Sequence, residues 1–376
     1  MNKWIILPLA LLLGIGGQNA AASAKPKKEI MTEFLVVVKA SNEAELRTEL
    51  RLQSTELQRS LKKNEPVSAD EAVPVIADTQ IIARTGQTET VYEVGRGLEL
   101  YDRQHKQMRL LPESAKHKLD LYVRAARQAH YGKLTPWKEA ERIVARKAIC
   151  QVTDLETGLS FQVQRRAGSS HADMQPLTKA DTAIMKQIYE GKWSWRRRAV
   201  LVSKEGQVLA GSMHGMPHGG DGIPDNDFSG HFCIHFLDST THGSNQVDPD
   251  HQWMIYKAAG QLDEKLAKAS PYEVIDSFLI GLNQQDRELV RRGFADQASP
   301  QLAFYLDGLA RMKAVKKAKP FDGKDPGEAS TLEIPVPVTV WFNGQQPERQ
   351  VFVFTMKRSG RDTPWKIDSL HPISGK

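Results

Sequence analysis

The run from His231 to Phe236, HFCIHF, constrains the fold of this chain more than any other segment. Successive side chains of a β-strand point to opposite faces, so His231, Cys233 and His235 share one face. The three apolar residues that alternate with them then face a hydrophobic core. A strand with a purely structural role has no need of two imidazoles and a thiol on its other face. The pattern therefore predicts a strand that separates a core from a functional site.

The residues around this strand indicate thiol chemistry. An imidazole beside a cysteine can accept the thiol proton or, once protonated, stabilise the nucleophilic thiolate. We therefore expect Cys233 to be a nucleophile whose thiol pKa is lowered by a neighbouring imidazole. His214, at the end of the preceding strand, is the candidate base, and His235 is a second imidazole on the same face as the thiol.

Backbone and binding groups are expected nearby. Ser229 and Gly230 directly precede the strand and can present N–H groups as an oxyanion hole. A substrate is expected to contact four further residues: His231, Gly215, Trp195 and His171. For Trp195, next to an arginine triplet, a structural aromatic role stays open, and for His171 so does a simple loop turn.

The same side chains are also zinc-ligand types, which keeps a metal site open as the alternative. On a regular strand His231 and His235 lie ~13 Å apart, too far for both to share one ion comfortably with Cys233. The alternative ligand set is therefore drawn from His214, His231 and His235, with zinc as the cofactor. The leading interpretation needs no cofactor.

The amino terminus has the features of an export signal. Lys3 precedes an apolar run to Ile15, and Ala22-Ser23-Ala24 is a small-residue cleavage site. The apolar run is shorter than the ~20 residues of a spanning helix, so no membrane span is expected after cleavage. We expect a secreted, wall-associated protein.

Charge and cysteine content fit an exported protein. The net charge of +6 suits an anionic wall polymer such as peptidoglycan, and no aromatic-interleaved basic stripe suggests nucleic acid. With only Cys150 and Cys233, the chain either closes one disulfide or keeps free thiols, and the histidines around Cys233 favour a free thiol.

The length of 376 residues predicts several domains of an α+β protein. Asn42 with Glu45 predicts the start of a helix in the first module. Ser270 with Glu273 forms a capping box, which marks the start of a last domain that ends in three strands after a linker from Lys316 to Ser330. The predicted parts are a signal peptide (1–24), an α/β module (25–112), a helical connector (113–148), a β-rich catalytic domain (149–269) and an α+β tail (270–376).

Two families resemble parts of this chain. His214-Gly215 together with Ser229 and Cys233-Ile234-His235 resembles the motifs of L,D-transpeptidases, cysteine enzymes that cross-link peptidoglycan. The likeness extends over residues 149–260, although two residues separate Gly230 from Cys233 and His235 stands where the family has arginine. In the tail, Pro271–Ile275, Phe278 and Trp365–Ile367 resemble the nuclear-transport-factor-two-like fold, which implies a spacer or binding module.

These resemblances imply a function. Cys233 would accept an acyl group from a peptidoglycan stem peptide as a thioester, with His214 as its base. Two alternatives stay open: a metal-dependent wall hydrolase that uses the histidines, and a wall-binding protein without activity.

Overall fold

A computed structural model describes residues 4–6, 31–69, 75–220, 222–323 and 326–374. The fold class is α+β, as predicted. The chain divides into two compact units, residues 1–130 and 131–376. The expected signal peptide lies outside the described residues except for Trp4–Ile6. No helix in the described parts of the chain is long and apolar enough to cross a membrane.

The first unit is built on one sheet. Its strands follow the order β1-β3-β2-β5-β6-β7-β8-β4. In chain order its elements are β1 (Trp4–Ile6), β2 (Thr32–Val38), β3 (Arg47–Gln53), α1 (Thr55–Lys63), β4 (Val67–Ser68), β5 (Val75–Thr85), β6 (Thr88–Gly95), β7 (Leu100–Asp102), β8 (Gln107–Arg109) and α2 (Glu113–His130).

The predicted helix beginning at Asn42 is wrong. Residues 47–53 form strand β3, which pairs with β2, and the helix begins only after Ser54, whose side chain accepts the N–H of Leu57. The sequence of β3, RTELRLQ, alternates polar and apolar residues after Thr48, a period-2 pattern that the leucine spacing obscured.

The second unit begins with a closed antiparallel barrel. Six strands follow the order β10-β11-β14-β13-β12-β9, and β9 pairs back to β10. In chain order the elements are α3 (Trp137–Ile143), β9 (Ile149–Asp154), β10 (Ser160–Ala167), β11 (Ala172–Pro176), α4 (Lys179–Ile188), β12 (Arg197–Lys204), β13 (Gln207–His214) and β14 (Phe232–His235).

The barrel core confirms the alternation of the central strand. Phe232, Ile234 and Phe236 are all fully buried in one apolar cluster, which also contains Cys150. The hairpin of β12 and β13 closes through Glu205 and Gly206, both at positive φ, as a tight hairpin turn requires.

The rest of the second unit is helices followed by a meander. Its elements are α5 (Pro249–Ala258), α6 (Leu262–Ala267), α7 (Pro271–Gln284), α8 (Arg287–Gly293), α9 (Pro300–Gly308), a 3₁₀ turn (Leu309–Arg311), β15 (Met312–Lys317), β16 (Thr331–Phe342), β17 (Glu348–Lys357) and β18 (Lys366–Ser374). The Ser270–Glu273 capping box is present as predicted. The meander has four strands rather than three, because residues 312–317, which overlap only the first two residues of the expected linker, form β15 and pair with β16.

Buried polar contacts connect the barrel to the helices beyond residue 270. Lys257 of α5, almost fully buried, forms ion pairs with Asp286, at the start of α8, and with Glu156, 2.6 Å away in the turn after β9. Burial alone would lower the pKa of Lys257, but the two carboxylates hold it above its ordinary value. Residues 131–376 therefore form one unit, and independent folding of the tail from residue 270 stays a prediction.

We expect Lys257→Met to lower the free energy of unfolding by about 3–5 kcal/mol, because it leaves the buried carboxylate of Asp286 and the partly buried one of Glu156 without their cation. Urea unfolding of the full chain measures this. The matched control Lys268→Met, at an exposed site, should change stability by no more than about 0.5 kcal/mol. Equal stabilities for the two variants would contradict a structural role for the buried lysine.

Candidate functional site

Seven of the eleven histidines lie together at the barrel, joined by ring contacts. We call this group with Asp173 and Cys233 the histidine cluster. Its histidines are His171, His214, His218, His231, His235, His242 and His251. A density of imidazoles this high has no packing rationale in an apolar barrel, so the cluster is the candidate site.

Strand pairing positions the centre of the cluster. Asp173 of β11 is the direct ladder partner of Cys233 of β14, so both side chains leave the sheet side by side on the face opposite the core. His171 lies in the bend directly before β11, and its Nε2 lies 3.2 Å from Asp173 Oδ1. Rigid sheet backbone thus holds Asp173 and Cys233 side by side.

The loop between β13 and β14 brings a fourth group to the thiol. His218 and His231 face each other in an isolated antiparallel bridge with mutual backbone hydrogen bonds of 3.0 and 2.8 Å. Gly230 lies at φ +87°, and a Cβ there would lie 2.3 Å from the carbonyl oxygen of His218. Glycine at this position allows the close backbone approach that places the His218 ring over Cys233.

The thiol of Cys233 has two polar neighbours. Its Sγ lies 3.4 Å from His218 Nε2 and 3.8 Å from Asp173 Oδ1. The other ring nitrogen of His218, Nδ1, lies 3.0 Å from the carbonyl oxygen of Met216. Because a carbonyl only accepts, Nδ1 must donate, and Nε2 is left as an acceptor that faces the thiol.

His214 has the opposite arrangement. The backbone N–H of Met216 donates to its Nδ1 at 3.4 Å. Burial, with the positive charge of Arg197, holds the pKa of His214 well below its ordinary value, so the ring is neutral and carries its proton on Nε2. In this tautomer the predicted base has no lone pair on Nε2 to accept the thiol proton, whereas His218 faces the thiol with an acceptor nitrogen.

Asp173 is the charged centre of the cluster. Its Oδ1 lies 3.0 Å from His242 Nε2, 3.2 Å from His171 Nε2 and 3.8 Å from His231 Nε2. Burial alone would raise the pKa of Asp173, but contacts with His171, His231 and His242 hold it at about 2. The carboxylate is therefore ionised at neutral pH.

The deeper histidines form a stacked neutral layer. His235 stacks on His251 with ring centroids 3.8 Å apart and on His171 at 4.4 Å. Burial holds the pKa values of His235 and His251 well below the ordinary value. His251 Nδ1 lies 2.9 Å from the hydroxyl of Ser212. This layer supports the site without adding charge.

The expectation of a lowered thiol pKa is wrong. Burial raises the pKa of Cys233 well above its ordinary value, and the negative charge of Asp173 raises it further. Cys150 lies in the barrel core, where burial raises its pKa to about 11. Both cysteines are free.

The other predicted residues fall into an inner and an outer group. His171 and His235 are buried inside the cluster, and His231 is half-buried beside Asp173. Trp195 is 48% exposed and contacts His214 and His218, so it forms the rim. Ser229 is exposed.

Both predicted glycines have structural roles. The carbonyl of Gly230 accepts a hydrogen bond from Gln175. Gly215 packs against Tyr189, where a Cβ would overlap the ring at 2.4 Å. Neither observation bears on an oxyanion hole.

Four members of the cluster were absent from the predicted site: Asp173, His218, His242 and His251. Asp173 lies 60 residues before Cys233 in the sequence, and strand pairing brings the two together. His218 lies in the Gly-rich loop before Cys233 and His242 in the loop after β14, and these positions were the available signals.

Two groups of side chains are close enough to share a metal ion among the described residues. One is His171, Asp173, Cys233 and His242, and the other is His214, His218 and Cys233. The alternative set predicted from the sequence, His214, His231 and His235, is not gathered as one ligand group. No family model matches the chain, and no curated protein matches it.

We expect Cys233 to react slowly with iodoacetamide at pH 7, and Asp173→Asn to speed the reaction. Removing a negative charge 3.8 Å from Sγ stabilises the thiolate, and each unit by which the pKa falls raises the thiolate fraction about tenfold. Peptide mapping by mass spectrometry measures the rate at Cys233. The exposed-site control Asp307→Asn should leave the rate unchanged. A slower or equal rate in Asp173→Asn would contradict this electrostatic account.

Proposed function

We propose that this protein is an exported cysteine acyltransferase, with Cys233 as nucleophile and His218 as its general base. One observation carries the proposal: Cys233 Sγ lies 3.4 Å from His218 Nε2, while the Met216 carbonyl orients His218 through Nδ1. A nucleophile, a base and a group that orients the base form the arrangement common to acyl-transfer enzymes of unrelated folds.

The reaction follows from these positions. Sγ attacks the carbonyl carbon of the donor amide while the thiol proton passes to His218 Nε2. His218 then gives that proton to the departing amine, and a thioester to Cys233 remains. An acceptor amine attacks the thioester, its proton passes to His218 and returns to the leaving sulfur, and the free thiol is restored.

The raised pKa of the thiol selects between two forms of this mechanism. A buried thiol beside the Asp173 carboxylate rests protonated, so a thiolate–imidazolium pair does not form in advance. His218 therefore removes the proton as the sulfur attacks, in the manner of serine hydrolases rather than of cysteine enzymes with a pre-formed ion pair.

The proposed donor is a peptidoglycan stem peptide. The resemblance to L,D-transpeptidase motifs at His214-Gly215 and Cys233-Ile234-His235 supports this choice, as do the expected export signal and the net charge of +6. Trp195 offers an exposed aromatic surface at the entrance to the site, suited to a sugar or peptide face. A wall-associated location follows from the same proposal.

We expect the full-length protein to form a covalent adduct on Cys233 with a carbapenem-type β-lactam, whose strained amide acylates the thiol. His218→Ala should slow acylation about 10²- to 10⁴-fold, the usual contribution of a general base. His214→Ala should slow it less, because the Nε2 of His214 already carries a proton. Intact-protein mass spectrometry over time measures all three rates.

His371→Ala, at an exposed site far along the chain, is the matched control and should acylate at the wild-type rate. The proposal fails if the reduced wild-type protein forms no adduct, or if His218→Ala acylates as fast as the wild type. A cross-linking assay on purified muropeptides then tests the donor separately from the nucleophile.

A further inference from the structure

Four side chains that could bind a metal ion lie close together around Cys233, and the proposed reaction uses only the thiol of Cys233. His171, Asp173, Cys233 and His242 each offer a ligand atom, and the four atoms all lie within 4.8 Å of one another. His171 and His242 contact Asp173 Oδ1 at 3.2 and 3.0 Å, and Cys233 Sγ lies 3.8 Å from the same oxygen. The acyl-transfer mechanism gives no reason for this convergence.

The distances fit the size of one zinc ion. Tetrahedral zinc holds nitrogen or oxygen at ~2.0–2.1 Å and thiolate sulfur at ~2.3 Å, which places neighbouring donors roughly 3.3–3.7 Å apart. The three distances from Asp173 Oδ1 to the other donors span 3.0 to 3.8 Å, and the remaining donor pairs lie within 4.8 Å of one another. Side-chain adjustments of about 1 Å therefore bring all four donors into one coordination sphere.

The hydrogen bonding of the His171 ring indicates a bound cation or proton between this ring and Asp173. Its Nδ1 lies 2.7 Å from the carbonyl oxygen of Thr240, so Nδ1 donates, and in the neutral ring Nε2 is an acceptor that lies 3.2 Å from Asp173 Oδ1. Nε2 is buried and has no hydrogen-bond partner among the described residues. Two acceptors 3.2 Å apart repel each other unless a proton or a metal ion lies between them.

The same hydrogen bond is typical of metal sites. A histidine ligand commonly donates its second ring nitrogen to a backbone carbonyl, which fixes the tautomer and the ring plane. His214 and His218 form the competing set with Cys233, but the Nε2 of His214 carries a proton and cannot bind a metal without a tautomer change. The set around Asp173 is therefore the better site.

The fourth candidate ligand, His242, lies where a metal ion could enter the site. Sheet backbone fixes Asp173 and Cys233, and His171 lies directly before β11; all three are buried, whereas His242 lies in the loop after β14 with its side chain 51% exposed. An ion can reach the three inner donors past this loop and then be closed in by His242.

We propose that His171, Asp173, Cys233 and His242 bind one divalent zinc-class cation, and that the bound ion blocks the thiol. A zinc-bound cysteine is a thiolate ligand whose lone pair is shared with the metal, so it cannot attack a carbonyl carbon until the ion leaves. Metal binding stands without the acyl-transfer proposal, whereas the blocking of acylation rests on it.

The binding test uses the full chain, stripped with a chelator, and titrates it with zinc chloride by calorimetry. We expect one zinc per chain, with His242→Ala and Asp173→Asn each weakening binding at least tenfold. Cobalt(II) should give a sulfur-to-metal charge-transfer band that Cys233→Ser abolishes. His218→Ala and the exposed control His371→Ala should bind zinc within about twofold of the wild type.

Absence of zinc binding by the wild type would overturn the site and leave a protonated His171 as the partner of Asp173. Binding that His218→Ala weakens but His242→Ala does not would assign the ion to the other ligand set and equally overturn it. His242 lies in a loop with its side chain largely exposed, so His242→Ala should fold. This variant still tests the site if Cys233→Ser or Asp173→Asn does not fold.

The blocking test follows β-lactam acylation of Cys233 with and without one equivalent of zinc. We expect zinc to slow acylation at least tenfold and a chelator to restore it. Each variant is compared with its own zinc-free rate, and His242→Ala should need more zinc for the same inhibition. Acylation that proceeds equally fast with zinc bound would overturn the blocking role, while acylation absent without zinc would instead refute the acyl-transfer proposal.

Discussion

The buried carboxylate of Asp173 is the interaction on which the site depends. The ladder of β11 and β14 places it beside Cys233, and three imidazoles surround its Oδ1 within 3.8 Å. A buried charge must be compensated, so each neighbour of Asp173 offers a proton or shares a cation. Burial raises the pKa of the Cys233 thiol most, and the negative charge of Asp173 raises it further. In the two proposals above, this one residue therefore influences both the resting state of the nucleophile and the affinity of the cluster for a positive ion.

Local sequence signals predicted the scaffold well. Alternation along residues 231–236 identified both the core face and the site face of β14, and the capping box at Ser270 marks a helix start that the structure confirms. The reasoning failed in the first module: Asn42 with Glu45 suggested the start of a helix, but the residues that follow pair with β2 as a strand. Tertiary pairing overrides local propensity in such segments.

The site itself was only partly predictable, because its members come from separate segments. The strand pattern identified Cys233 and its flanking histidines. The proposal of His218 rather than His214 as the base depends on loop geometry, which residue spacing does not encode. The Nδ1 of His218 contacts the carbonyl of Met216, whereas the Nδ1 of His214 contacts the N–H of Met216. Asp173 joins the site through strand register alone. A thiol among histidines suggested a lowered thiol pKa, but burial and the Asp173 carboxylate raise it instead.

The most direct test of the account is the tautomer of His218, read by NMR of the ¹⁵N-labelled histidines at neutral pH. The Met216 carbonyl requires the proton on Nδ1, which leaves Nε2 as an unprotonated acceptor facing Cys233. We predict the Nδ1–H form, with a signal that Cys233→Ala perturbs. A proton on Nε2 would contradict the account, because His218 then cannot accept the thiol proton.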